Sequence, residues 1–306
     1  MVLERVLALI AVVFALAAGA ARAEVIDAQA SYPEGAIWRD GKIFYTEMGA
    51  DQVSYFEGAD KRIHWRERGC GPTSIAPYGA GIVVLCHPTA ELVALDGAGR
   101  TVRRWSRLDA GGLLQDPNDS SADGRGGVYI SDPGAFSMDA RVSGEVLYLS
   151  SRGALRRVAQ GLRYPNGVFV DRRENALYVN EHLNRRVLRF QIQADGALGP
   201  MSVFADLNKL TRRVGTYREA GPDGIERGPD GDFYVCLYGE GRILRLDASG
   251  ALVRSIAVPT PFVTSIAFSP DGTAYVTGTF ENMAPPYPGA VVKLAPDALR
   301  ASGRGG

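Results

Sequence analysis

The chain has 306 residues, of which 46% are hydrophobic and 22% charged, a composition that excludes long-range disorder. Lysine and arginine (34) balance aspartate and glutamate (34), so no basic excess draws the protein to nucleic-acid phosphates. Abundant glycine (37) and tyrosine (13) favour short strands joined by tight turns over helices.

The first 23 residues have the pattern of a secretory signal peptide. The basic residue Arg5 precedes an uncharged apolar run over residues 6–18, and Ala21-Arg22-Ala23 has the small-x-small form of a signal-peptidase site. The alternative is an uncleaved anchor, but the run is shorter than the ~20 residues that a spanning helix needs. We expect cleavage after Ala23, a periplasmic or secreted protein, and no membrane association after cleavage.

A pattern of two short strands recurs six times along the mature chain. Each copy opens with a turn-forming entry, usually proline, and in five of the six copies a glycine-containing turn separates the two strands. The residues in the second position of the six copies are Glu34, Thr73, Asn118, Asn166, Asp223 and Thr264. They are 39 to 57 residues apart, about the length of a four-stranded blade. The repeat predicts an all-β, six-bladed β-propeller over residues 24–300.

The two ends of the chain complete this prediction. The sixth copy stops after its third strand, Ala290–Leu294, and Val25–Gln29 from the mature N-terminus can supply the missing outer strand. That N-terminal strand would close the last blade and remove an open sheet edge. Residues 301–306 are expected to form a frayed tail. An insertion at residues 209–220 should lie on the face where the inner strands begin, and residues 206–213 predict a short helix.

Three cysteines are informative because the compartment is expected to be oxidising. Cys70 and Cys86 are 16 residues apart and flank a predicted hairpin, so they are the preferred pair for a disulfide. The alternative, which the sequence leaves open, is that these two and Cys236 are all buried free thiols.

The second position of the repeat also predicts a metal site. The first residue of an inner strand faces the axis of a propeller, and all six residues at this position carry a side-chain oxygen. Oxygen donors without thiolate or imidazole suit a hard cation such as Ca²⁺ or Mg²⁺. Pro-Asx-Gly is also an ordinary turn sequence, so a single copy would carry little weight. The common register of all six copies favours the metal site.

The ordered motifs Pro33-Glu34-Gly35, Pro117-Asn118-Asp119, Pro165-Asn166-Gly167 and Pro222-Asp223-Gly224 resemble those of the SMP-30/gluconolactonase/LRE family over about residues 30–295. The resemblance implies a six-bladed propeller with a divalent cation in its central channel, and lactone hydrolysis. It implies that Glu34, Asn166 and Asp223 are metal ligands, that Asn118 contacts the substrate or the metal, and that Asp223 is the catalytic base. Ca²⁺ is the expected cation, with Zn²⁺, Mn²⁺ and Mg²⁺ as alternatives.

The chain departs from the resembled family at the sugar-binding positions. Asp116 stands where gluconolactone-hydrolysing relatives have an arginine, and residues 131–136 offer no obvious match to an acidic sugar contact. We therefore expect a small-molecule lactone or related ester as the substrate, without fixing it as a sugar. Apolar and aromatic residues nearby suggest a less polar pocket; they are Phe136, Met138, Tyr217, Phe280 and Tyr287.

Two alternatives to a lactonase remain at this stage. One is a non-catalytic propeller in which Ca²⁺ only stabilises a binding face, because a fold does not dictate a function. The other is a phosphotriesterase on the same metal platform. Four further residues are candidates for lining the channel: Thr73, His182, Tyr217 and Thr264. The sequence does not indicate the oligomeric state.

Overall fold

Short antiparallel β-strands account for most of residues 23–300, the part of the chain that the computed structural model describes. Four sheets have four strands each and a fifth has eight, and together they form an all-β propeller. The predicted signal peptide, except for its last residue Ala23, and the predicted tail at residues 301–306 lie outside the described residues.

The strands fall into six consecutive groups of four. The first group is β2 (Pro33–Arg39), β3 (Lys42–Glu47), β4 (Gln52–Glu57) and β5 (Asp60–Arg66). The second is β6 (Pro72–Tyr78), β7 (Gly81–Cys86), β8 (Glu91–Leu95) and β9 (Thr101–Trp105). The third is β10 (Ser120–Ala122), β11 (Val128–Asp132), β12 (Gly144–Leu149) and β13 (Leu155–Leu162). The fourth is β14 (Pro165–Asp171), β15 (Ala176–Glu181), β16 (Arg186–Ile192) and β17 (Leu198–Asp206). The fifth is β18 (Gly221–Arg227), β19 (Phe233–Tyr238), β20 (Arg242–Leu246) and β21 (Leu252–Ala257). The sixth is β22 (Phe262–Phe268), β23 (Ala274–Thr279), β24 (Pro288–Leu294) and β1 (Ala23–Ser31).

The sixth group takes its outer strand from the beginning of the chain. β1 pairs antiparallel with β24, so the expected N-terminal strand is present and is longer than predicted. The eight-stranded sheet consists of the fifth and sixth groups, which one backbone pair, Tyr238 with Phe262, joins. Pairing of β1 with β24 covers an edge that would otherwise present unpaired backbone groups to solvent.

The first strand of each group lines the centre of the molecule. These strands contact one another in cyclic order, from β2 through β6, β10, β14, β18 and β22 back to β2. The apolar core lies between neighbouring groups: buried Leu85 packs in one cluster with Ile130, and buried Val146 in another with Leu177. Burial of these faces holds the groups around a central channel.

Helical structure is limited. The helix α1 (Leu207–Leu210) lies inside the predicted segment, and the Asp206 side chain caps it by accepting a hydrogen bond from the Asn208 backbone at 3.2 Å. A second helix, α2 (Pro296–Arg300), was not predicted from the sequence; it buries Ala298 and Leu299 against the sixth group. Neither helix approaches the length that crossing a bilayer requires, and no other helix in residues 23–300 does.

The structure confirms the disulfide that the sequence analysis preferred. Cys70 and Cys86 form a disulfide that joins the loop before β6 to the end of β7. Cys236 is a buried free thiol in β19. The disulfide fixes the loop before β6 close to the end of the channel where the inner strands begin.

Candidate functional site

A cavity of about 190 Å³ lies at the end of the channel where the inner strands begin. Six residues proposed from the sequence line it: Glu34, Thr73, Asn118, Asn166, His182 and Asp223. Phe136, suggested as part of a less polar pocket, lines it as well. The sequence reasoning missed five other lining residues: Tyr32, Met48, His87, Tyr164 and Tyr238.

Five residues named from the sequence do not line this cavity: Met138, Tyr217, Thr264, Phe280 and Tyr287. The Thr264 hydroxyl is buried and donates a hydrogen bond to the Pro33 carbonyl at 2.8 Å, so it ties β22 to β2. Tyr217 lies behind Tyr238, with ring centroids 5.9 Å apart, and its hydroxyl accepts a hydrogen bond from the Asn282 side chain at 3.4 Å. The insertion that carries Tyr217 therefore lies on the predicted face and supports the cavity wall.

A β-bulge at the start of three inner strands positions the candidate ligands. The pairing register shifts between Pro33 and Ala36, between Pro165 and Val168, and between Pro222 and Ile225. Each shift contains one candidate ligand, namely Glu34, Asn166 or Asp223. A bulge re-aims side chains relative to a regular strand, which is how one residue per strand is directed into the channel.

The glycine after each of these ligands is required by close packing of the inner strands. A Cβ on Gly167 would lie 2.0 Å from the Asp223 carbonyl oxygen, and a Cβ on Gly224 would lie 2.6 Å from the Thr264 carbonyl oxygen. These glycines lie within strands β14 and β18. The Pro-Asx-Gly segments are thus bulged strand starts, and the alternative reading of them as ordinary turns is wrong.

The carboxyl groups of both acidic ligand candidates have raised pKa values. Burial raises the pKa of the Asp223 carboxyl well above its usual range, and the charges of Glu34 and Asp119 raise it further. Burial and the charge of Asp119 likewise raise the pKa of Glu34. A hydrogen bond from Asn166 opposes the shift at Asp223 without cancelling it. A cation between these groups would remove this electrostatic cost.

Asn166 supplies a free acceptor in the same place. Its Oδ1 atom is buried and has no hydrogen-bond partner among the described residues. An unpaired buried carbonyl oxygen is costly, so its presence beside two carboxyls fits a bound cation. Within residues 23–300 no three histidine, cysteine, aspartate or glutamate side chains cluster as a metal site. The candidate set differs from such clusters because it combines two carboxylates with carboxamide oxygens.

His182 orients the side chain of Asn166. Its Nε2 atom is 2.7 Å from the Glu219 carbonyl oxygen, which can only accept, so Nε2 carries the proton. Its Nδ1 atom is then the acceptor, and it faces the Asn166 Nδ2 atom at 3.5 Å. Burial lowers the pKa of His182 to about 4, so the ring is neutral near pH 7. This arrangement turns the Asn166 amide nitrogen towards His182 and leaves Oδ1 free.

The acidic residues at the departures from the family pattern stabilise a loop. The Asp132 carboxylate accepts hydrogen bonds from the backbone of Gln115 at 3.0 Å and of Asp116 at 2.8 Å. The Asp116 carboxylate accepts one from the Gly134 backbone at 2.7 Å. Neither carboxylate lines the cavity. The wall therefore has no arginine or additional carboxylate at these positions to hold a polyol.

Comparison with known proteins places the chain among lactonase-like propellers. Residues 32–280 match the model of the SMP-30/gluconolactonase/LRE-like region. A lactonase, drp35, of Staphylococcus haemolyticus is 29% identical over 226 residues, which are 72% of this chain and 64% of that protein. The matched region is thus just under two thirds of this relative's length.

Two solved structures are similar in fold. A gluconolactonase from Xanthomonas campestris superimposes with a TM-score of 0.72 at 21% identity, over 92% of each chain. Regucalcin from Agrobacterium tumefaciens, described as a calcium-binding protein, gives a TM-score of 0.71 at 18% identity, over 90% of this chain and 94% of that one. Likeness at these identities establishes the fold alone.

Proposed function

Because the chain belongs to the SMP-30/gluconolactonase/LRE-like family, we propose that it is a divalent-cation-dependent lactonase. One observation carries the proposal: Glu34, Asn166 and Asp223 line a single small cavity, and the buried Asn166 Oδ1 atom there has no hydrogen-bond partner within residues 23–300. A lactone-hydrolysing relative supports the same reaction class.

Oxygen atoms of Glu34, Asn166 and Asp223 would hold the cation, with Ca²⁺ as the best match to this donor set. When bound, such a cation supplies Lewis-acid polarisation of the lactone carbonyl and favours negative charge on its oxygen. His182 keeps Asn166 oriented towards the site through the contact described above. Asn180 donates a hydrogen bond to the Asp223 backbone carbonyl and thereby fixes the position of that residue.

The reaction proceeds through this chain's own groups as follows. Asp223, as a carboxylate, accepts a proton from a water molecule whose oxygen attacks the carbonyl carbon. The ring C–O bond then breaks, and the departing alkoxide takes the proton from Asp223, which yields the hydroxy acid. Asn118 lines the same cavity, so its carboxamide can orient the substrate. The OH group of the water ends in the carboxylic acid, its other hydrogen ends in the new hydroxyl group, and Asp223 is regenerated.

The ring would have six blades, one for each four-stranded group. The cyclic contacts of the six inner strands support this number, and the eight-stranded sheet is two such groups joined at one residue pair. We also propose that the protein works in the periplasm or outside the cell. The disulfide between Cys70 and Cys86 supports an oxidising compartment.

A lactone panel tests the function. The mature chain is treated with a chelator, dialysed, and assayed by acid release against aliphatic, sugar-derived and benzene-fused lactones, and against a phosphotriester. We expect hydrolysis of at least one lactone that chelation abolishes and added Ca²⁺ restores. Undiminished activity in protein shown by elemental analysis to be metal-free would contradict the metal dependence. Turnover of the phosphotriester alone would replace the lactone with that substrate class.

A further inference from the structure

The cavity has one strongly aromatic side. The rings of Tyr32, Phe136, Tyr164 and Tyr238 all line it. Phe136 is central to this group: its ring centroid is 4.8 Å from that of Tyr164 and 6.4 Å from that of Tyr238. We call these four residues the aromatic wall. The wall faces the same space as the candidate ligands, so a substrate held by those ligands must contact it.

The polar ends of two rings in the wall already have partners. The Tyr32 and Tyr238 hydroxyls are hydrogen-bonded to each other at 2.7 Å. The Asn282 side chain donates a second hydrogen bond to the Tyr238 hydroxyl at 2.8 Å. Because the hydroxyls of Tyr32 and Tyr238 already form hydrogen bonds within the protein, these two rings offer a ligand mainly their apolar faces.

The backbone holds two wall residues in a conformation that bulky side chains rarely adopt. Tyr32 has a φ of 45° and Tyr164 a φ of 56°, and each directly precedes the proline that opens an inner strand. Gly71, at the corresponding position before β6, has a φ of 49°, which glycine tolerates freely. A tyrosine in this left-handed region is strained, and such strain is characteristic of functional sites. Two tyrosines thus stand over the cavity where glycine would be less strained.

The size and chemistry of the cavity suit a single flat ring. A cavity of about 150 Å³ is enough to hold benzene, so about 190 Å³ accommodates a ring and a short polar part. A polyol would have to lose its bound water against apolar ring faces. It would find no arginine at position 116 and no carboxylate from residues 131–136 in the cavity lining to replace that water. An aromatic substrate gains from stacking or edge contacts with the same faces.

We propose that the aromatic wall selects lactones fused to, or carrying, an aromatic ring over polyol lactones. This inference rests on the proposed lactonase function and names its substrate class. The planar ring packs against Phe136 and Tyr164, while the carbonyl group lies towards Asn118 and Asp223.

The test compares kcat/KM for a benzene-fused six-membered lactone, a saturated six-membered lactone and the six-membered lactone of a hexonic acid, each corrected for spontaneous hydrolysis. We expect the benzene-fused lactone to be preferred over the hexonic lactone by at least about tenfold. Phe136→Leu and Tyr164→Gly should lower the ratio of benzene-fused to saturated substrate by about tenfold, whereas Tyr164→Phe, which keeps the ring, should preserve the ratio. Tyr55→Leu, which removes an aromatic ring from strand β4, is the matched control and should leave the ratio unchanged.

Preference for the hexonic lactone by the unaltered protein would overturn the inference and leave the lactonase proposal standing. Unchanged ratios in both Phe136→Leu and Tyr164→Gly would overturn it as well. If no lactone is hydrolysed, the proposed function fails, and calorimetric titration with the ring-opened acids then decides the inference separately. Tighter binding of the phenyl-bearing acid than of the hexonic acid, weakened by Phe136→Leu, would support an aromatic site, and the reverse order would refute it.

Discussion

Asp223→Asn is expected to lower kcat/KM for lactone hydrolysis by about a thousandfold and to raise the melting temperature of the metal-free protein. The substitution keeps the shape of the side chain but removes the base and one candidate ligand. It also removes a carboxyl whose pKa burial and the Glu34 charge raise in the folded state. A buried acid of this kind destabilises the fold when it must ionise, so the neutral amide should be more stable. Initial rates and thermal melts in excess chelator measure the two effects.

Asp247→Asn is the matched control for this experiment. It makes the same chemical change in the fifth group of strands, in the turn between β20 and β21, where hydrogen bonds from Ser249 lower the pKa of Asp247. Activity should be retained and the melting temperature should not rise. A loss of activity in Asp247→Asn similar to that in Asp223→Asn would mean that the assay reports on folding. Retention of full activity in Asp223→Asn would refute its role as the base.

The second large effect is the pH dependence of metal-free stability. The pKa values of Glu34 and Asp223 are raised in the folded state, so between the unfolded and folded values the folded chain binds more protons than the unfolded chain. The contribution of these two carboxyls to the free energy of unfolding is fully present below their pKa values in the unfolded chain, about 4. It is lost as the pH rises through their pKa values in the folded chain. A cation should reverse the loss, because it replaces the protons as the partner of both carboxyls.

Added Ca²⁺ is therefore expected to stabilise the protein more at pH 8 than at pH 5. At a free Ca²⁺ concentration one hundred times the Kd at pH 8, the gain in the free energy of unfolding at pH 8 would be about 2.7 kcal/mol. The gain at pH 5 would be smaller at the same concentration, and denaturant titrations at the two pH values can resolve the difference. Glu34→Gln should reduce both the pH dependence and the Ca²⁺ effect. Equal stabilisation at both pH values, unchanged in Glu34→Gln, would mean that the cation binds elsewhere.

The repeat pattern was sufficient to predict the strands and much of the site. It depends on two short-range rules, alternating strand burial and turn residues at blade entries, which need no tertiary information. The same register located Glu34, Asn166 and Asp223, because equivalent positions of equivalent strands must meet on a common axis. Thr264 has the same register but does not line the cavity, because its hydroxyl donates a hydrogen bond to the Pro33 carbonyl of the neighbouring inner strand. Register alone could not distinguish a side chain that lines the cavity from one bonded to a neighbouring backbone.

The aromatic wall was largely hidden from sequence reasoning. Phe136 was suggested from the sequence as part of a less polar pocket, but Tyr238, the last residue of β19, was not. The position of Phe136 in a loop next to Tyr238 is not encoded by periodicity. A usable signal existed for Tyr32 and Tyr164, since each directly precedes the proline of a repeat copy where Gly71 stands in another. His182 was named from the sequence only as a channel-lining candidate, because its role depends on the Glu219 carbonyl, which only the folded insertion brings within reach.

A crystal structure of the mature protein grown with Ca²⁺ tests the central claim most directly. We predict a single ion in the cavity, with oxygen atoms of Glu34, Asn166 and Asp223 each within about 2.3 to 2.6 Å of it. Anomalous scattering identifies the ion, and crystals of Asp223→Asn grown in the same conditions should lack it or hold it weakly. A cavity that stays without an ion at saturating Ca²⁺, or an ion bound only to other residues, would contradict the account.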